Sequence, residues 1–156
     1  MNFEEARTQM LGQQIRAWEV LDGRVLDVLG AIQRESFVPK SQRGLAFADL
    51  EIPLAHGQKM MTPKVEGRLL QALSLNPTDN VLEIGTGSGF LSACLARLAK
   101  KVRSVDIYEG FSQDAKSKFG QLGISNAEFL TLDALQMGHQ QKFDAIAVTG
   151  SVPEQD

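Results

Sequence analysis

Residues Val81 to Gly89 read Val-Leu-Glu-Ile-Gly-Thr-Gly-Ser-Gly, and this stretch decides the fold. Val81 to Ile84 is a short, largely apolar run that suits a buried strand. Gly85, Thr86, Gly87, Ser88 and Gly89 form a Gly-x-Gly-x-Gly turn. Leu91, Cys94, Leu95 and Leu98 then recur on one helical face. Strand, glycine turn and helix together bring backbone close to a nucleotide, because no side chain stands in the way and a helix N-terminus offers amide donors. Two common nucleotide signatures are ruled out. A dinucleotide fingerprint needs glycine where Phe90 stands, and a P-loop needs Gly-Lys-Ser/Thr, which is absent.

Downstream of this motif the pattern alternates between strand and helix. Strands are expected at about 80–84, 101–106, 127–132 and Phe143 to Val148, with helices at about 88–100 and 111–122. Phe111, Ala115, Phe119 and Leu122 mark the buried face of the second helix, and Gly123 is its C-terminal stop. Repeated β–α units imply a parallel sheet with helices on both faces, and a ligand site beyond the C-terminal strand edges where strand order reverses. Upstream, Leu11, Ile15 and Trp18 make a helical stripe. Asp22 caps a second helix carrying Val25, Val28, Leu29 and Ile32, which ends before Pro39. Residues 40–61 have weak periodicity and read as loop with at most one short helix. Thr62-Pro63 starts a third helix, with Val65, Leu69, Ala72 and Leu73 inward. The expected fold is thus α/β, a Rossmann-like, doubly wound, mostly parallel sheet with an N-terminal helical segment. Residues 1–79 form that segment and a covering loop, and 80–156 the core, within one structural unit.

Composition bounds the rest. The chain has 156 residues, 43% hydrophobic and 22% charged, as in an ordinary globular domain. A net charge of −3 gives no reason to expect nucleic acid or an anionic membrane as partner. No apolar run approaches the roughly 18 residues that span a bilayer. Cys94 is the single cysteine, which fits a reducing compartment, here the cytoplasm. Cys94, His56 and His139 share no metal-ligand spacing, so no metal is expected.

Several polar residues are candidates for chemistry. Asp106 ends the second strand, 21 positions after Gly85, where a carboxylate can accept from ribose hydroxyls. Asp133 ends the third strand on the same edge and either meets an adenine amino group or caps the next turn. Glu83 could neutralise a ligand ammonium, since a buried carboxylate needs a partner. Ser88 and Gly89 place amide donors at a helix N-terminus. His56 lies in the loop Leu54-Ala55-His56-Gly57-Gln58 that could cover a cofactor. An acidic residue followed by Gly-x-Gly-x-Gly resembles motif I of S-adenosylmethionine-dependent methyltransferases.

Over nearly its whole length the chain resembles the protein-L-isoaspartate O-methyltransferase family. The matching segments are Gln14-Ile15-Arg16, Arg34 to Pro39, Ala46 to Asp49, Ile52 to Gln58, Val81 to Gly89 and Phe143 to Thr149. The resemblance implies S-adenosylmethionine as cofactor, S-adenosylhomocysteine as product, and methylation of the α-carboxylate of isoaspartyl residues in damaged proteins. It implies cofactor contacts from Gly85, Gly87, Asp106 and Asp133, and Thr86, Ser88, Gly89, Ile107, Ala134, Glu83 and Gln58 are further cofactor-binding candidates around them. It implies an acceptor site shaped by His56, Gly57, Thr149 and Pro153. The catalytic centre is expected around His56, Thr62 and the position held by Met61, where the family usually has serine. Methionine cannot donate that hydrogen bond. Methyltransferases of this kind carry about three further strands after the fourth, so the sheet reads as truncated there, with an edge open to self-association. A cofactor-binding paralogue without turnover, or a small-molecule methyltransferase, is the alternative.

Overall fold

The computed structural model describes residues 2–137 and 142–149. His139 and Pro153 lie outside them. The chain opens with α1 (Phe3–Met10), capped by the Asn2 side chain, which accepts from Glu5 N–H at 3.1 Å. A wider helical turn (Leu11–Ile15) and a 3-10 turn (Arg16–Trp18) extend it. Helix α2 (Gly23–Ala31) starts as expected at Asp22, whose carboxylate accepts from Arg24 N–H at 2.9 Å. Two short strands, β1 (Ile52–Pro53) and β2 (Lys59–Met60), pair antiparallel around the 54–58 loop. Helix α3 (Pro63–Leu73) follows.

The core then runs β3 (Asn80–Ile84), α4 (Phe90–Leu98), β4 (Lys101–Asp106), α5 (Glu109–Leu122), β5 (Ala127–Thr131) and β6 (Ala145–Val148). The order is β5-β4-β3-β6, all parallel. From β3 the chain steps outward to β4 and β5, then returns to β6 on the other flank. Strand order therefore reverses at β3, and the crevice beyond its C-terminal end is the place where such sheets bind ligands. Gly123 ends α5 in the left-handed conformation (φ 72°).

Glu83, Ser104 and Phe129 are cross-strand neighbours on one face. Ser92 of α4 bonds Glu83 there, and Phe119 of α5 packs edge-on to Phe129 at 4.7 Å, so both helices cover that face. Phe37 joins them to the N-terminal segment, meeting Phe90 at 5.9 Å and Phe119 at 6.3 Å. On the opposite face Ile146 and Val148 of β6 are about half exposed (53% and 54%). No helix among the described residues is long and apolar enough to cross a membrane.

Some periodicities misjudge the buried face. Trp18 is 45% exposed and lies at the surface under Lys64, whose ammonium sits 4.1 Å from the ring centroid. Leu122 is also exposed. Helix α3 turns Pro63, Glu66, Gly67 and Leu70 inward rather than Val65 and Ala72. The cause is Glu66, buried to pair with Arg34, and Gly67, where an added Cβ would crowd Ile15 at 3.2 Å and Val20 at 3.3 Å. The fourth strand starts at Ala145, because Asp144 turns its carboxylate onto Asn80 N–H at 2.7 Å.

Candidate active site

The glycine turn leaves β3 at the switch point. Gly85, Gly87 and Gly89 all have positive φ (104°, 51° and 85°), so the motif spends its glycines on a path that side-chain-bearing residues rarely follow. Gly85 is tied down from both sides: its N–H donates to Val105 O at 2.8 Å, and its carbonyl accepts from Thr149 Oγ1 at 2.7 Å. Gly89 N–H is committed to Thr86 O at 2.9 Å, and Phe90 N–H to Ser88 Oγ at 3.2 Å. Of the two amide donors expected at this helix N-terminus, that of Gly89 is thus taken up within the turn. Thr86 points its hydroxyl inward to Ser104 Oγ at 2.6 Å, and serves the buried network.

Asp106 faces the turn across the crevice. Its Oδ2 accepts from Gly87 N–H at 3.2 Å and its Oδ1 from Tyr108 N–H at 2.9 Å. The carboxylate is thereby oriented before any ligand arrives. Ile107, next along, is 58% exposed. Asp133 accepts from Leu135 N–H at 2.9 Å and caps the turn Ala134–Gln136, which is the capping role considered for it.

Glu83 is fully buried under the turn. Oε1 accepts from Ser104 Oγ at 2.7 Å and from Ser92 Oγ; Oε2 has no partner. Burial pushes its carboxyl up to about 7, the two serine hydroxyls pull it down, and the nearby charge of Asp106 raises it further. Glu66 is likewise raised to about 7 by burial, against the opposing pull of Arg34. Arg34 also donates to Ala46 O at 2.6 Å and to Met61 O at 3.0 Å. It thus fixes the backbone at the position where the resemblance places serine. Leu54, Met61, Glu66, Glu83, Gly87 and Thr149 are among the residues that line a small pocket of about 40 Å³, open to solvent on one side. A larger cavity of about 610 Å³ lies at the opposite strand ends, around Asn80, Lys101 and Asn126, far from this chemistry.

Thr62 sits at the N-cap of α3, but its side chain makes no cap bond and its Oγ1 is buried without a partner. His56 is exposed and stacks on Tyr108 at 4.0 Å, while Gly57 (φ 68°) completes the loop tip. Gln58 donates from Nε2 to His56 O at 3.4 Å. Sequence reasoning missed Arg34, Glu66 and Tyr108. Charges on an amphipathic helix read as solvated, and a lone tyrosine carries no pattern. Among the described residues no group of three His, Cys, Asp or Glu could hold a metal.

A parallel α/β sheet with a glycine turn and a facing carboxylate at its switch point defines a Rossmann-like fold. The sequence narrows this class. Residues 5–155 match the family model "Protein-L-isoaspartate(D-aspartate) O-methyltransferase (PCMT)", and the chain belongs to that family. It is 34% identical over 154 residues to a Roseiflexus protein-L-isoaspartate O-methyltransferase, covering 98% of this chain and 70% of that protein. It is 38% identical over 136 residues to protein-L-isoaspartate O-methyltransferase 2 of Nitrosococcus oceani, covering 86% of this chain and 62% of that one. Two solved structures share the fold. One, a protein-L-isoaspartate O-methyltransferase, has a TM-score of 0.78 at 24% identity, over 92% of this chain and 47% of that chain. The other, a Plasmodium falciparum chain described in the same terms and solved with S-adenosyl-L-homocysteine, has a TM-score of 0.79 at 18% identity, over 100% of this chain and 77% of that chain.

Proposed function

We propose that the chain binds S-adenosylmethionine between the glycine turn and Asp106, and transfers its methyl group to the α-carboxylate of isoaspartyl residues in damaged proteins. The observation that carries the reading is Asp106 held 3.2 Å from Gly87 N–H across the switch-point crevice. Family membership supports the donor and acceptor. The residues fit this cofactor: Asp106 for the ribose hydroxyls, Gly85 and Gly87 for close main-chain approach, and the orphaned Glu83 Oε2 for the ammonium end. Buried Cys94 agrees with a reducing compartment such as the cytoplasm.

The cofactor supplies an electrophilic methyl group on a sulfonium. An α-carboxylate, with an ordinary pKa near 3.5, is already ionised at neutral pH and needs no general base. The protein's work is then positioning and exclusion of water. Arg34, through Met61 O, and the β1–β2 ladder fix the acceptor side, while Asp106 and the glycine turn fix the donor side. Methyl-ester formation on an isoaspartyl peptide tests the reading; no ester with peptide in excess rejects this acceptor. Met61, without a hydroxyl, motivates a second reading, a cofactor-binding paralogue that has lost turnover.

A further inference from the structure

The 54–58 loop is held at its base by the β1–β2 ladder, Ile52 opposite Met60 and Pro53 opposite Lys59. At its tip His56 (φ 59°, ψ 29°) and Gly57 (φ 68°) are consecutive left-handed residues. Glycine does this freely. Histidine there is strained, and the surroundings must hold it. The contact that holds it is aromatic: the imidazole lies flat on Tyr108 (4.0 Å, 2° between planes), and both rings meet Phe111 edge-on at 5.6 and 5.8 Å. Tyr108 in turn donates its N–H to Asp106 Oδ1 at 2.9 Å. At the other end of the loop Leu54 reaches the glycine turn, its Cδ1 3.7 Å from where a Cβ on Gly87 would stand. One loop therefore touches both halves of the nucleoside frame, the turn through Leu54 and the carboxylate's own segment through His56.

We propose that the His56–Tyr108 stack is a latch that keeps the 54–58 loop closed over the nucleoside site, making His56 a positioning residue that works through its ring face rather than as an acid or base. The inference rests on the nucleoside reading of the glycine turn and Asp106. His56→Ala is expected to speed release of S-adenosylhomocysteine about threefold to tenfold, the range of one aromatic pair. His56→Phe restores slow release. Tyr108→Leu matches His56→Ala, and the double variant is no faster than either single one. A ligand-free readout is independent of all this: Tyr108 is the chain's sole tyrosine, so its ring resonances report the stack directly and shift in His56→Ala. Unshifted tyrosine resonances overturn the contact, and unchanged release in His56→Ala, or failure of His56→Phe to restore it, overturns the latch. A tyrosine signal that shifts in His56→Ala, together with a wild type that binds no S-adenosylhomocysteine, defeats the nucleoside reading, and the latch with it, by a separate measurement.

Discussion

Glu83→Gln should stabilise the ligand-free protein at high pH while weakening its cofactor site. The folded pKa of Glu83, about 7, lies above its ordinary value of 4.5. Folding therefore favours the protonated form. The stability it contributes is complete below about pH 4.5 and is lost as pH rises through about 7. With these two values, ionisation of Glu83 costs the folded state about 2 kcal/mol more at about pH 8 than at about pH 5.5. Glutamine has the shape of the protonated acid: its Oε1 can still accept from Ser92 and Ser104, and its nitrogen replaces the orphaned Oε2. The variant should thus gain about 2 kcal/mol on wild type between those pH values, or roughly 4–8 °C in Tm for a chain of this size. Glu66, raised for the same reason, leaves a residual slope in both proteins. Thermal melts of both proteins across this pH range are the assay. A Glu83→Gln protein whose stability relative to wild type does not change with pH would refute the buried, uncompensated carboxylate. The gain should coexist with weaker S-adenosylmethionine binding, the usual exchange of stability for a strained functional group.

Three further outcomes follow from the same contacts. Arg34→Met strands Glu66 and should cost about 3–5 kcal/mol in urea unfolding, largely recovered when Glu66→Gln is added; a loss below about 1 kcal/mol contradicts a buried ion pair. Gly89→Ala should cost about 1–2 kcal/mol by thermal melt from backbone strain alone, since its new Cβ would meet Ala115 Cβ at an ordinary 3.5 Å. Met61→Ser should raise methyl transfer about tenfold, the worth of one hydrogen bond of about 1.4 kcal/mol, with cofactor affinity unchanged; equal rates would mean that the missing hydroxyl is not what limits turnover.

The sheet and its glycine turn were legible because their signals are local. Val81–Ile84 and the three glycines specify strand and turn by themselves, and Asp106 ends the next strand as the pattern predicts. Gly123 and Asp22 did the same for helix ends. What stayed hidden depends on distant partners. Arg34 and Glu66 are 32 positions apart, and nothing in either segment announces that the charges meet in the core. The same burial turned α3 away from its apolar stripe. Trp18 reads as core in any periodic count, yet two cations on α3, Lys64 and Arg68, make a surface position favourable for it. The stacking of His56 on Tyr108 was equally invisible, because the two rings are separated in the chain by three intervening strands.

The most direct measurement is calorimetric titration with S-adenosylhomocysteine of the wild type and of Asp106→Ala. A crevice built as described binds one equivalent, and removal of the carboxylate weakens binding by at least about tenfold, the loss of a charge-assisted hydrogen bond of roughly 1.5–3 kcal/mol. Absence of heat from the wild type, or equal affinity in the variant, would contradict it.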